Sequence, residues 1–348
     1  MDRKLASVQK VLKIETIDGA DAIDKATVLG WQCVVKKNEF KEGDLAVYME
    51  IDSFLPIIPE FEFLRKGCYK RLVDGNEGFR LKTIKLRGTL SQGLLLPIHT
   101  FNDRIVEPHE GDDVTEVLNI VKYEPPIPAQ LRGLIKGNFP SFVPKTDEIR
   151  IQSCPGVLEE IRDLDCYITE KVDGTSLTVF VKGGEFGVCS RKLELKEDEN
   201  NTYWKMTKKY DIIQKLVDWS SEKGGKDFAV QCEIIGPGIQ KNKLGLKECE
   251  IRVFNLYNIT DVCYEDYMSL KVFCDTTGLP MVKVLEETVL DIDTTIDKLL
   301  ERAKGSYDCG YPREGIVIRP IKEAYSNELK GRLSFKAINN DFLLKEKE

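Results

Sequence analysis

Histidine is nearly missing from this chain. Among 348 residues only His99 and His109 occur. That all but excludes Ser-His-Asp hydrolysis and multi-histidine zinc sites. The ten cysteines, at 33, 68, 154, 166, 189, 232, 249, 263, 274 and 309, include no pair at CxxC spacing. A zinc ribbon is therefore not expected. No apolar leader follows Met1, so a disulfide framework is not expected either; a reducing, intracellular location with mostly buried thiols is. No apolar run approaches the ~18–20 residues of a membrane span; Leu94-Leu95-Leu96-Pro97-Ile98 is typical of the longest. There is no internal repeat and no low-complexity tract. Positive charge is also short, with a net charge of −7. Read alone, that argues against a nucleic-acid partner.

What is present is the composition of a soluble globular protein, 42% hydrophobic and 31% charged, with length for about two domains. The first part reads as all-β. Residues 4–14, 26–35, 45–51 and 79–86 are short β-rich runs, divided by turn signals at Asp18-Gly19, Glu42-Gly43-Asp44, Asp74-Gly75-Asn76 and Arg87-Gly88. Such spacing suggests a small barrel or sandwich. The stretch Tyr123-Glu124-Pro125-Pro126-Ile127-Pro128 is the best linker.

The second part mixes strands and helices. Strands are expected over 166–170, 176–181, 228–235, 251–257, 315–319 and 333–335. Helical spacing joins Met206, Tyr210, Ile213 and Val217; Tyr267, Leu270, Phe273 and Cys274; and Ile292, Ile296, Leu299 and Leu300, the last set with Asp291 as cap and Gly305 as stop. Strands and helices do not alternate regularly, which favours α+β over a doubly wound parallel sheet.

The sharpest motif is Lys171-Val172-Asp173-Gly174, set between two apolar strands. A lysine at a strand end, partly desolvated, can be a nucleophile once its pKa is lowered. Gly174 would let a substrate approach the backbone, and Asp173 could orient the lysine or hold water on a metal. By itself K-x-D-G recurs by chance in roughly one chain in ten, and a surface lysine before a hairpin turn would explain it. The motifs that follow in order decide the reading: Ser190-Arg191, then Gln231-Cys232-Glu233-Ile234-Ile235-Gly236, then Arg252-Val253-Phe254-Asn255-Leu256-Tyr257, then Glu314-Gly315-Ile316-Val317-Ile318, and last Ser334-Phe335-Lys336.

This ordered set resembles the covalent nucleotidyltransferase superfamily of ATP-dependent ligases and mRNA capping enzymes. Within it the chain is most similar to the RNA ligases with an amino-terminal OB domain, the Naegleria- and Deinococcus-type group. Gly30-Trp31-Gln32, Glu42-Gly43-Asp44-Leu45, Pro144-Lys145-Thr146-Asp147-Glu148-Ile149-Arg150-Ile151-Gln152 and Lys336-Ala337-Ile338-Asn339-Asn340 carry that closer likeness. DNA ligases and capping enzymes place the OB domain after the last motif, whereas only twelve residues follow Lys336 here. One departure stands out. Several relatives have Lys-x-Lys where this chain has Ser334-Phe335-Lys336, so one phosphate contact is missing or is supplied by Arg332 or Lys330.

The resemblance implies an α+β chain: an OB-fold β-barrel over 1–122, a linker over 123–138 and a nucleotidyltransferase domain of antiparallel sheets with flanking helices over 139–348. It implies an ATP-dependent RNA ligase that works through lysyl-AMP on Lys171, joining 3′-OH and 5′-phosphate RNA ends, a nicked duplex being the expected substrate. Lys336 would contact the α-phosphate and favour neutral Lys171. Asp173, Glu233 and Glu314 would hold Mg²⁺ or Mn²⁺ through water. Glu170, Gly174, Arg150, Arg191, Glu233, Phe254 and Val317 would complete the nucleotide site, with Phe254 and Val317 against adenine.

A second feature lies in the first domain. Arg65, Lys66, Lys70, Arg71, Arg80, Lys82, Lys85 and Arg87 face only Asp74 and Glu77 within 65–87, a window of +6. Tyr69 and Phe79 are interleaved. OB folds bind nucleic acid through such grooves, with cations along the backbone and aromatics on the bases. The net charge of −7 therefore does not exclude RNA. A monomer with no membrane association is expected. The alternatives are a DNA ligase or capping-type guanylyltransferase, and a non-catalytic RNA-binding OB protein with a degenerate transferase domain.

Overall fold

The computed structural model describes residues 3–72, 74–124, 131 and 133–345. Pro125-Pro126-Ile127-Pro128 of the expected linker lies outside them. The chain forms two compact units. One comprises Met1–Pro126, Ile151–Pro155 and Leu343–Glu348; the other comprises Ile127–Arg150 and Gly156–Phe342.

The first unit is built from β-structure. Its five-stranded antiparallel sheet runs in the order Leu94–Pro97, Leu45–Met49, Ala6–Thr16, Ile23–Val28, Trp31–Lys36. Alternation sets its faces: Asp24, Ala26 and Val28, then Trp31, Cys33 and Val35, point inward. The expected single run 26–35 is two strands, because Leu29 takes a left-handed φ of 51° and turns the chain. Trp31–Lys36 and Leu45–Met49 follow each other in sequence but do not pair. The expected run 79–86 also divides. Glu77–Arg80 joins a four-stranded sheet with Val121–Lys122, Ser53–Leu55 and Tyr69–Arg71, while Thr83–Leu86 forms a separate hairpin with Thr89–Gln92.

The second unit is α+β. A seven-stranded sheet runs Ile135–Asn138, Leu193–Leu195, Glu185–Cys189, Thr175–Lys182, Phe228–Ile235, Glu250–Asn258, Cys263–Tyr264. A five-stranded sheet runs Ile149–Arg150, Phe335–Ile338, Gly315–Pro320, Asp165–Lys171, Val284–Val289, with one parallel pair at Ile149–Arg150. Leu177, Val179, Val230, Cys232 and Ile234 of the larger sheet are buried against Trp204, Leu216, Trp219, Leu270 and Phe273 from three helices. All ten cysteines are free thiols, six of them buried.

Two of the three helix readings change. The expected span through Met206 and Val217 is two helices, Thr202–Lys209 and Ile212–Glu222, because Asp211 is left-handed with φ 49°. Tyr267–Thr277 forms as expected, capped by Asp266 and ended by Gly278 at φ 67°. The last helix starts late, at Ile296. Ile292 is 73% exposed outside it. Asp291 instead accepts a hydrogen bond from Thr294 Oγ1, and the cap is Thr295, whose Oγ1 accepts from the Lys298 N–H. Thr295→Ala should therefore cost about 1 kcal/mol of stability in denaturant unfolding, and Asp291→Ala much less. The reverse order would show that Asp291 governs the helix start.

Candidate active site

Strand pairing assembles the site in the second unit. Asp165–Lys171 lies beside Gly315–Pro320, with Lys171 opposite Gly315. Glu314 thus comes next to the strand end, and Lys171 Nζ lies 2.7 Å from Glu314 Oε2. In the next register Thr169, Val317, Lys336 and Arg150 form one row across four strands. Residues in a row share a face, as do residues two apart along a strand. Lys171, Val317, Lys336 and Arg150 are therefore brought to one face of the smaller sheet, as the motifs imply. Glu170 is buried next to Lys171, and its N–H donates to the Lys283 carbonyl.

From Lys171 the chain passes through Asp173 and Gly174 into Thr175–Lys182 of the larger sheet, where Ser176 stands opposite Glu233. A Cβ on Gly174 would lie 2.3 Å from the Ile234 carbonyl oxygen and 2.6 Å from Glu233 Cγ. The protein's own strand, rather than a bulky ligand, demands that glycine. Phe254 is the extra residue of a β-bulge between Val253 and Asn255. Bulges re-aim side chains, and Phe254 is half-buried while Ile251 and Val253 are fully buried. Arg191 Nη2 lies 2.5 Å from Asp147 Oδ1.

Ser334 is not an open gap in the last motif. It is 3% exposed, and its Oγ accepts from Arg319 Nε at 2.9 Å. Arg319 also donates to Glu148 and to the Phe254 carbonyl. Arg332 pairs with Glu323, donates to Asn255 Oδ1 and lies 3.9 Å from the Tyr264 ring centroid. It is committed there and does not replace a lysine. Lys330 lies near Glu160, whose pKa its charge helps to lower.

Two residues escaped the sequence reading. The Tyr307 hydroxyl donates to the Lys171 carbonyl at 3.1 Å and accepts from the N–H groups of Asp173, at 3.1 Å, and Glu314, at 3.0 Å. One phenol thus ties the Lys171–Asp173 loop to Glu314 beside it. Lys243 Nζ lies 2.8 Å from Asp173 Oδ2. The lysine-bearing loop after Gly236-Pro237-Gly238 was the available signal for it.

The electrostatics follow from burial. Burial alone would push the Lys171 ammonium down, but the charges of Glu314 and Glu233 outweigh it and the net direction is up. The resting lysine is therefore held protonated, the acids outweighing the burial that favours its neutral form. Lys336 yields instead: burial, then the charges of Lys171 and Arg150, bring it down to about 7. Burial and Glu314 raise Asp173 to about 6 against the pull of Lys243. Burial raises Glu233 to about 8, opposed by Lys171 and reinforced by Glu314 and Asp173.

The basic window of the first unit is thinner than its sequence. Arg65 is paired with Glu62, Arg71 with Glu77, and Arg80 with Asp52, two of these acids lying outside the window. Phe79 is completely buried in the core and cannot stack on bases. Tyr69 is half-buried against the same core. Lys66 and the hairpin residues Lys85 and Arg87 are exposed, and Lys70 and Lys82 half-buried.

Comparison with known proteins places this geometry. An OB-fold domain model matches residues 5–98, and an RNA ligase model matches residues 164–338. The structure of Naegleria gruberi RNA ligase with PPi superposes with a TM-score of 0.87 at 36% identity, covering 98% of each chain. A variant of that ligase with AMP and Mn gives 0.88 at 36% identity over 98% of each chain. Another with ATP and Mn gives 0.86 at 36% identity, over 98% of this chain and 97% of the other. The chain belongs to the RNA ligase family. It is a ligase enzyme with an amino-terminal OB-fold domain followed by the α+β ligase domain. No curated protein sequence matches it. Among the described residues no helix is long and apolar enough to cross a membrane.

Tyr307→Phe leaves two N–H groups and a carbonyl without their partner, at a cost of about 1–3 kcal/mol. RNA joining should fall at least about tenfold while the chain stays folded, because the nucleophile's loop loses its tie. Initial rates with parallel unfolding curves check this; joining at the unmodified rate would reduce Tyr307 to a core residue.

Proposed function

We propose that this ligase joins RNA 3′-OH and 5′-phosphate ends, as in a nicked duplex, at the expense of ATP, through AMP carried on Lys171. The supporting observation is the 2.7 Å contact between Lys171 Nζ and Glu314 Oε2, on the face that also carries Val317, Lys336 and Arg150. Nucleophilic attack needs the neutral amine, and the resting lysine is charged. Glu314 Oε2 is the atom placed to receive its proton. The amine then attacks the α-phosphorus, an N–P bond forms and the bond to pyrophosphate breaks. The AMP passes to the RNA 5′-phosphate, and a 3′-hydroxyl attacks the activated phosphate and expels AMP.

Each step moves negative charge on phosphoryl oxygens, and fixed cations stabilise such charge. Lys336 and Arg150, adjacent in register, fit the α-phosphate and its neighbours. A bound phosphate anion raises the Lys336 pKa from about 7 and recharges it. Arg191, with Asp147, fits the ribose or the phosphates. Phe254 on its bulge and Val317 fit the faces of adenine, with Glu170 beside them.

The carboxylates fit a divalent cation. Asp173 and Glu233 are held high by burial and mutual repulsion, and an added positive charge relieves both. Among the described residues no three acidic, cysteine or histidine side chains converge as direct ligands. The fit is thus to an ion that keeps several waters, as Mg²⁺ does and Mn²⁺ can. Asp173, Glu233 and Glu314 would hold it, and it would supply charge against the phosphates. In the first unit the exposed Lys66, Lys85 and Arg87 are the cations best placed for RNA, and the protein acts as a monomer.

Incubation with α-labelled ATP or GTP and a divalent cation, followed by denaturation, tests this reading. ATP should leave a label that Lys171→Ala abolishes. No adduct from either nucleotide would support a non-catalytic protein, and preference for GTP a capping-type enzyme. Lys85→Ser with Arg87→Ser should weaken RNA joining and flatten its salt dependence, with labelling intact.

A further inference from the structure

Two of the three acids of the site are already paired. Glu314 has Lys171 and Asp173 has Lys243, and Lys243 and Asp173 have side chains only 10% and 12% exposed. The Lys243 ammonium also lies 4.0 Å from the Phe342 ring centroid. An aromatic face and a carboxylate together make a specific seat for a cation.

The backbone that delivers Lys243 is costly. Gln240, Lys241 and Asn242 have φ values of 45°, 61° and 49°, three successive non-glycine residues in the left-handed region. Such conformations persist only where surrounding structure over-determines them. Here the Asn242 side chain clamps the loop, donating from Nδ2 to the Leu246 carbonyl and accepting from the Leu246 N–H. The Asn242 N–H donates to Ile239, and Cys309 Sγ donates to the Lys243 carbonyl. The clamped loop ends with its lysine on Asp173.

A divalent cation that approaches Asp173 meets an ammonium group already there. It must displace Lys243 or bring enough other negative charge to make room for both. Nucleotide phosphates carry that charge. We infer that Lys243 is a built-in counter-ion that competes with the divalent cation for Asp173, so that the site takes up metal together with nucleotide rather than before it. The inference rests on the functional reading only in taking Asp173 as a partner of the metal.

Mn²⁺ binding to the full chain, read from the free-ion EPR signal, tests it. Without nucleotide, Lys243→Met should bind Mn²⁺ about tenfold more tightly than the unmodified chain, because one buried cation is gone. Lys243→Arg keeps the charge and should stay near the unmodified affinity. The gain should vanish when Asp173→Asn is added to Lys243→Met. Circular dichroism checks the fold, and Lys243→Gln serves if the methionine variant does not fold. Unchanged or weaker Mn²⁺ binding in a folded Lys243→Met or Lys243→Gln chain overturns the inference. So does a gain that survives Asp173→Asn, or one that Lys243→Arg reproduces. Labelling of Lys171 is scored separately: a chain that takes no label from ATP refutes the functional reading, and the Mn²⁺ comparison still decides this one.

Discussion

The ion pair between Lys171 and Glu314 is the constraint on which the site depends. In the proposed reaction Lys171 must be close to its proton acceptor and must not be charged when it attacks. The chain meets the first requirement in the resting state and defers the second. Three acids, Glu314, Glu233 and Asp173, hold the ammonium form in place against the cost of burial. Burial, reinforced by repulsion among these acids, leaves Glu233 and Asp173 high. In the proposed reaction, incoming positive charge relieves that repulsion and weakens the grip on the proton of Lys171. On that proposal the resting state stores the nucleophile in a protected form.

The rest of the second unit keeps those charges in register. Lys171 and Glu314 sit at facing strand ends, 143 residues apart in sequence, and only the antiparallel pairing of Lys171 with Gly315 brings them together. The Tyr307 hydroxyl locks that corner through three backbone groups. Gly174 lets the chain cross tightly against Ile234, so Glu233 of the larger sheet reaches the same region. The buried Arg319 joins Glu148, Ser334 and Phe254, coupling the bulge of one sheet to the last motif of the other.

Most of the site was legible because its residues lie on short, ordered motifs at strand ends. The strand Phe228–Ile235 matches the expected span, and the row of Val317, Lys336 and Arg150 follows from alternation once the strands are paired. Contacts made by loops were not legible. Tyr307 and Lys243 act across 134 and 70 residues of chain, with no periodicity to mark them. Counting charge along a window also misled. It placed Phe79 among base-stacking aromatics although tertiary packing buries it in the core, and it missed Glu62 and Asp52, which fold back onto Arg65 and Arg80. Helix ends failed for a local reason: Asp211 and Thr295 act through φ values and a hydroxyl contact that hydrophobic spacing does not encode.

The protected nucleophile can be measured directly. Lys171 is titrated by the pH dependence of its reaction with a small acylating reagent, followed by peptide mapping, in the unmodified chain and in Glu314→Gln. A carboxylate favours the charged form of a neighbouring lysine, so removing it lowers the lysine's pKa. The account predicts a Lys171 midpoint above that of an ordinary lysine, about 10.4, in the unmodified chain, and a clear downward shift in Glu314→Gln. A midpoint at or below the ordinary value in the unmodified chain, or no downward shift in the variant, would contradict it.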